Sequence, residues 1–424
     1  MSTELHTDIA IIGAGPAGMA AAVAACSQGA HVTLVDDNPR PGGQIWRGGP
    51  SQAPASASST FRQLADSQAR LLSGFRVAAV PAPGQLLLED PHRAQVLRYG
   101  KLIIASGARE RLLPFPGWTL PGVTGAGGLQ ALVKGGLDVR DQHIVLAGTG
   151  PLLLASAATL RAAGAQVLLI AEQAPWSQLA RFGWALKAYP AKLAQAASLA
   201  WQLGGVPYHH ASHVLAALGQ TRLDGVQLQL GARSLTLPCD WLGVGYGLLP
   251  NTELLRALHC QINQGAAQVD ALMQTSQTGI YAAGEATGIG GVDKALLEGR
   301  IAGLAATGAI AAAQALAPRR KRQLAFAALL DKHFALQPAI TQLAQADTLV
   351  CRCEDVSHAS LQQFDNWREA KLQTRCGMGA CQGRICGAAC ESLYGWQGSG
   401  DRPPLLPTRL GSLLEPTLAK ANPT

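Results

Sequence analysis

The run Asp8-Ile-Ala-Ile-Ile-Gly13-Ala-Gly15-Pro16-Ala17-Gly18 limits what this chain can fold into more than any other feature. A short apolar stretch ends in three glycines spaced GxGxxG. An Ala-rich stretch follows to Ser27, and a second apolar run, His31 to Asp36, closes on a carboxylate. This is strand, turn, helix, strand: a βαβ unit. Gly13 permits the tight turn, Gly15 lets the backbone approach a phosphate, and Gly18 lets helix and strand pack closely. The helix start then offers unpaired N–H groups and a favourable dipole to an anion. A carboxylate at Asp36 can accept both hydroxyls of a ribose. Gly13, Gly15, Pro16, Ala17, Gly18, Asp36 and its neighbour Asp37 are therefore assigned to a dinucleotide.

The same grammar returns between His143 and Glu172: strand Ile144–Ala147, turn Gly148-Thr-Gly150, helix Leu152–Ala163, strand Gln166–Ile170. The chain reads as α/β with two Rossmann-like dinucleotide-binding domains. The second copy is degenerate. Its third glycine position is Leu153, and counting from Gly29 and Gly164 places Ala171 where Asp36 stands in the first copy. Glu172 comes one position late and in a regular strand faces the other way. Efficient NAD(P)H use is not expected. The second domain is read as scaffold, with an adenine nucleotide as its alternative occupant.

Three further stretches surround the first copy: Arg40-Pro-Gly-Gly43-Gln44, Leu102-Ile-Ile-Ala-Ser106-Gly107-Ala, and Thr278-Gly-Ile-Tyr-Ala-Ala-Gly284-Glu285. In this order they resemble the two-dinucleotide-binding flavoproteins of the glutathione-reductase-like fold, over roughly residues 5–310. The resemblance implies FAD in the first domain and adds Gly43, Gln44, Ser106, Gly107, Gly284 and Glu285 to its site. The third stretch normally carries Gly-Asp, whose acid binds the ribityl chain; here Glu285 takes that place. Cys26, Cys239 and Cys260 are isolated and assigned to packing, so no redox-active disulfide is expected. His209, His210 and His213 are read as surface or core, and no catalytic residue is assigned.

The other cysteines cluster. Cys351-Arg-Cys353-Glu is followed by Arg375-Cys376-Gly-Met-Gly-Ala-Cys381-Gln-Gly-Arg-Ile-Cys386-Gly, with Cys390 a helical turn later. Two thiols in Cys-x-Cys point to one side of an extended segment, and the glycines of the second segment let a loop wrap closely. Four thiolates suit either a [2Fe–2S] cluster or structural zinc. The even spacing leaves Cys376/Cys381 or Cys381/Cys386 to complete the set; the later pair is favoured, giving Cys351, Cys353, Cys381 and Cys386, with Cys376 as the alternate. Cys390 is read as packing. The segment resembles the bacterioferritin-associated-ferredoxin-type [2Fe–2S] domain, in the form fused to amine-oxidising flavoprotein subunits. Nearly the whole chain is similar to the FAD/iron–sulfur subunits of heteromeric dye-linked amino-acid dehydrogenases of the opine oxidase, hydrogen cyanide synthase and D-hydroxyproline dehydrogenase type. That resemblance implies an oxidoreductase acting on CH–NH or CH–NH2 donors. A partner flavoprotein subunit, amino-acid-oxidase-like, oxidises the substrate, and a quinone or another carrier accepts the electrons. A stand-alone NAD(P)H-dependent FAD/iron–sulfur reductase is the alternative, and a redox-silent scaffold with structural zinc a second one.

Composition sets the outer bounds. With 424 residues, 48% hydrophobic and 14% charged, the chain can bury two or three domains. The expected division is 1–114 with 250–316 for FAD, 115–249 for the degenerate copy, 317–344 as basic linker and helix, 345–400 for the cluster, and 401–424 as an extended tail. The net charge of +7 is thinly spread apart from Arg319-Arg320-Lys321-Arg322. That run is read as a solvated linker face, with peripheral membrane contact as the minority reading. No aromatic interleaving points to nucleic acid. No apolar stretch is long enough for a transmembrane helix, and neither a basic n-region nor a cleavage site suggests a secretory signal. The clustered cysteines indicate a reducing compartment, hence a cytoplasmic location, with the inner face of the membrane as the alternative.

Overall fold

A computed structural model describes residues 4–51, 53–396 and 404–414. Along the chain, the elements that position the sites begin with β1 (Leu5–Ile12), α1 (Pro16–Cys26), β2 (Val32–Asp36), β3 (Arg70–Ser73), β4 (Arg76–Ala79), β5 (Gln85–Glu89) and β6 (Ala94–Ile104). Next come β7 (Val123–Gly125), β8 (His143–Gly148), α2 (Pro151–Ala162), β9 (Gln166–Glu172), β10 (Tyr208–His209) and β11 (Trp241–Gly245). The last are β12 (Ile280–Ala282), α3 (Val292–Ala306), α4 (Ala317–His333), α5 (Trp367–Thr374) and α6 (Cys386–Tyr394). The chain forms two units: residues 1–109, 249–327 and 400–424, and residues 110–248 with 328–399.

The first unit is built on a seven-stranded sheet in the order β3-β2-β1-β6-β5-β4, with β12 also paired to β6. β1 runs parallel to β2 and β6, so Ile12 lies between Val35 and Ile104 and all three strands end at one level. The crevice beyond the carboxyl ends of such strands is where open α/β sheets bind ligands. Behind the sheet, α1 and α3 meet through small residues. A Cβ on Gly299 would run into the Ala17 carbonyl, and one on Gly303 into that of Ala21. The Ala/Gly richness of both helices is thus a packing requirement, because anything larger would force the backbones apart.

The second unit carries a five-stranded parallel sheet, β10-β9-β8-β11-β7, beside a three-stranded antiparallel sheet of Ser212–Leu218, Gly225–Leu230 and Arg233–Pro238. The cysteine segment falls within this unit rather than apart from it. It has its own core, in which Val350, Leu361, Trp367, Ala370, Ala389 and Trp396 surround Cys351, Cys376, Cys386 and Cys390.

The structure corrects the reading of the basic run in one place. Arg319, Lys321 and Arg322 are exposed inside α4, but Arg320 turns inward to an ion pair with the fully buried Glu298 (Nε–Oε1 3.1 Å). The described part of the tail, 404–414, is bound to the first unit: the Leu405 N–H donates to the Ala78 carbonyl at 2.7 Å, and the Arg409 guanidinium reaches Glu89 at 2.9 Å. The remainder of the expected tail and the end of the cysteine domain near 400 lie outside the described residues. Among the described residues no helix is long and apolar enough to cross a membrane.

Candidate functional site

The first glycine turn needs its glycines. Gly13 adopts φ +102°, and a Cβ there would meet the Ala105 carbonyl. A Cβ on Gly18 would overlap the Gly13 carbonyl. Gly15 is the N-cap of α1, and no side chain caps that helix. A Cβ on Gly15 would lie 3.8 Å from the Cα of Gly43. Gly43 belongs to the Arg40–Gln44 loop, which is tied to the turn by the Gly42 N–H donating to the Ala14 carbonyl at 2.8 Å. Two backbones therefore face each other across a cradle that a side chain would fill. Asp36, almost buried, accepts from the Ala14 N–H through one oxygen, and from the Asn38 N–H and amide, both 2.8 Å, through the other. A carboxylate offers about four acceptor positions, so Asp36 keeps capacity for a ribose hydroxyl. Burial pushes the neighbouring Asp37 carboxyl up, with the Asp36 charge adding to the effect. Gln44 accepts from Arg47 at 2.7 Å.

The other expected site residues of this unit lie in two cross-tied loops. Ser106 donates to the Asn251 carbonyl at 2.6 Å, and the Asn251 amide donates back to the Ser106 carbonyl at 2.9 Å, beside Gly107 at φ +70°. Gly284, at φ +75°, opens the loop between β12 and α3. Glu285 folds onto that loop and accepts from the Gly290 and Gly291 N–H groups at 3.1 and 2.8 Å, while burial raises its pKa. One feature of this loop was not read from the sequence. Lys294, 1% exposed, donates to the Gly284 and Gly288 carbonyls, the Thr287 hydroxyl and the Glu298 carboxylate, all within 2.9 Å. Glu298 also accepts from the Gly284 N–H and Thr287. The i,i+4 spacing of Lys294 and Glu298 was the available signal. The backbone cradle, the uncapped helix start and the part-used carboxylate fit the adenine-dinucleotide half of FAD.

The second glycine turn differs from expectation in its acid. β9 carries an irregularity between Val167 and Leu169 that shifts its register. Ala171 therefore lies opposite Ala147, as Val35 lies opposite Ile12, and Glu172 lies opposite Gly148 in the register that Asp36 holds in the first unit. The reading of Glu172 as facing away is corrected: the bulge absorbs the extra residue. The carboxylate is 1% exposed and accepts from the Thr149 hydroxyl (2.7 Å), the Gly150 N–H (2.7 Å) and the Ala174 N–H (2.9 Å). Burial nevertheless raises its pKa. Leu153, at the third glycine position, is buried in the apolar core.

In the cysteine segment, the Sγ atoms of Cys351, Cys376 and Cys386 lie within 4.8 Å of one another. Hydrogen bonds among thiols extend the group from Cys386 to Cys381 and from Cys381 to Cys353, which is exposed. Of the four expected ligands the close group holds Cys351 and Cys386; its third member is the alternate Cys376, and Cys353 and Cys381 are not part of it. Bonds from Cys376 and Cys386 hold Cys351 well below the usual thiol range, and Cys381 is drawn down to about 5, chiefly by Cys386, with the Ile385 and Gly383 N–H groups adding to it. The glycines are required: a Cβ on Gly379 would strike Cys353, and one on Gly377, at φ +82°, would lie 2.6 Å from the Trp367 ring. Cys353, Cys376 and Cys386 are shifted the other way by their thiol neighbours and burial, so it is the close approach of the sulfurs that suits a thiophilic metal centre.

Residues 7–310 match the pyridine nucleotide-disulphide oxidoreductase family, and the chain belongs to it. It is accordingly an oxidoreductase of the FAD-binding kind. Among individual proteins, it is 36% identical to one of the subunits of the opine oxidase of Rhizobium meliloti (strain 1021), over 96% of this chain and 98% of that one. It is 33% identical to the HcnB subunit of hydrogen cyanide synthase of Pseudomonas aeruginosa, over 90% and 91% respectively. A crystal structure of L-proline dehydrogenase from P. horikoshii shares the fold, with a TM-score of 0.71 at 16% identity, covering 97% of this chain and 80% of that chain.

Proposed function

We propose that this chain is the electron-relaying subunit of a heteromeric dehydrogenase whose partner, an amino-acid-oxidase-like flavoprotein, oxidises the C–N bond of an amino or imino acid such as an opine, hydroxyproline or glycine. The supporting observation is the coexistence in one chain of a first glycine cradle that fits FAD and a close-packed cluster of cysteines around Cys351, Cys376 and Cys386. Gly13, Gly15, Gly18 and Gly43 offer backbone to the pyrophosphate, Asp36 accepts from the ribose, and Lys294 and Glu298 hold the Gly284–Gly291 loop that carries Glu285. Cys351, Cys353, Cys381 and Cys386 bind a [2Fe–2S] cluster. When bound, FAD takes up electrons in pairs and the cluster releases them singly to a quinone or other carrier. The relatives named as subunits support the partner.

The test is tagged purification from cells expressing the candidate partner gene, with flavin, iron, sulfide and zinc measured. Co-purification, with one FAD and two iron atoms per chain and substrate-dependent bleaching of both chromophores, is expected from the reading. Zinc in place of iron, or a chain that purifies alone and reduces a dye with NADH, would sink it. The stand-alone NAD(P)H reductase draws on one observation, the Asp36-like register of Glu172.

A further inference from the structure

We infer that the second dinucleotide site is closed by the chain itself, with Phe334 standing where a pyrophosphate would approach and Glu172 already committed to internal donors. In a Rossmann turn the second glycine is the one whose missing side chain admits the pyrophosphate. At Gly150, at φ +88°, a Cβ would point at the Phe334 side chain, with Cγ at 3.6 Å and Cβ and Cδ1 at 3.8 Å. At the equivalent Gly15 the nearest atom to such a Cβ is the Cα of Gly43, at 3.8 Å. One turn faces a glycine backbone that leaves a cradle; the other faces a phenyl ring.

The ring is held in place from several sides. Phe334 follows the end of α4 and packs edge-on against Phe182, with ring centroids 4.9 Å apart. The next residues are clamped by Gln173, itself 4% exposed: its amide donates to the Ala335 carbonyl at 3.1 Å and accepts from the Gln337 N–H at 3.0 Å. Gln173 is anchored in turn, its N–H donating to the Gly148 carbonyl at 2.8 Å. Leu336 then packs on the apolar core that contains Ile340. The ribose end of the site is spent as well. Glu172 accepts three short hydrogen bonds, from Thr149 and Gly150 of the glycine turn and from Ala174, and the Tyr208 hydroxyl lies at 3.5 Å, so about four acceptor positions meet four donors. A ligand ribose would have to displace internal partners from a buried carboxylate, which is costly.

On this closure, a domain with the right register for Glu172 is not expected to act as a nicotinamide site or to hold an adenine nucleotide. It concerns the second unit alone and does not rest on the relay through a partner. The test uses the full chain with its flavin retained, titrated with NADH and with ADP-ribose by calorimetry and NADH fluorescence, for the native protein and for Phe334→Ala. The native chain is expected to show no saturable binding at millimolar ligand, and Phe334→Ala to gain at least about tenfold in affinity. Native binding that Phe334→Ala leaves unchanged would overturn the inference, and so would a folded Phe334→Ala protein that binds neither ligand. If Phe334→Ala does not fold, Gln173→Ala serves instead, because it releases the clamp while leaving the Phe182–Phe334 ring pair in place. The same gain is expected from it, and a folded variant without that gain overturns the inference equally.

Discussion

At the scale of single residues, the glycine loops and the thiols set the sharpest expectations. A methyl group at position 18 would overlap the Gly13 carbonyl, and forced overpacking typically costs about 1–3 kcal/mol. Gly18→Ala should therefore lower thermal stability by that amount and reduce the flavin-to-protein ratio on purification; unchanged flavin content would show that the cradle does not hold FAD. Among the cysteines, Cys386→Ser should abolish cluster absorbance and its paramagnetic signal, whereas Cys376→Ala should keep both. The reverse pattern would make Cys376 the fourth ligand. The glycine turns were legible in the sequence because glycine spacing reports local geometry; the thiol group was less so, because the chain turns at Arg352–Asp355 and leaves Cys353 exposed and apart from Cys351, Cys376 and Cys386. The orientation of Glu172 was not, because the bulge near Leu168 leaves no mark in a residue count. Nor was Phe334, since nothing in residues 143–172 signals a ring arriving from the end of α4.

At the scale of elements, two anchors can be measured. Lys294 and Glu298 form a buried i,i+4 pair on α3 with Arg320 as a second partner. Removing Lys294 takes one of two cations from the buried Glu298 and the Nζ donor from the Gly284 and Gly288 carbonyls, at a cost of up to about 3–5 kcal/mol. Lys294→Met should therefore shift the denaturant midpoint strongly downward and loosen the Gly284–Gly291 loop, visible as faster amide exchange there. The second anchor joins the tail to β5. Burial alone would raise the Glu89 carboxyl, but the Arg409 N–H, its guanidinium and the Ser412 hydroxyl together hold it below the usual carboxylate range. A depressed folded-state pKa contributes stability that is present above the unfolded value, 4.5, and is lost as pH falls through the lower folded value. Protease cleavage within 404–414 should thus stay slow from neutral pH to roughly 5 and accelerate below it. In Glu89→Gln it should be fast throughout, and a flat pH profile in the native protein would refute the anchor.

At the scale of the whole molecule, the fold class was readable because two βαβ units repeat the same order of strand, turn, helix and strand. The chain's own stopper on the second copy was not, since it depends on chain returning from nearly two hundred positions away. Anaerobic titration should find that stoichiometric NADH leaves the visible spectrum of the purified chain unbleached while dithionite reduces it fully; rapid bleaching by NADH would favour a reductase. The seam where α1 and α3 touch through backbone has a wider consequence. Nothing there can swell, and α3 carries at its start the loop that holds Glu285. A selection for colourless colonies should therefore return substitutions at Gly299 and Gly303, positions that touch α1 at Ala17 and Ala21, as readily as changes in the glycine turn. Cofactor retention would then be a heritable trait of the helix crossing, spread over residues that meet no cofactor atom.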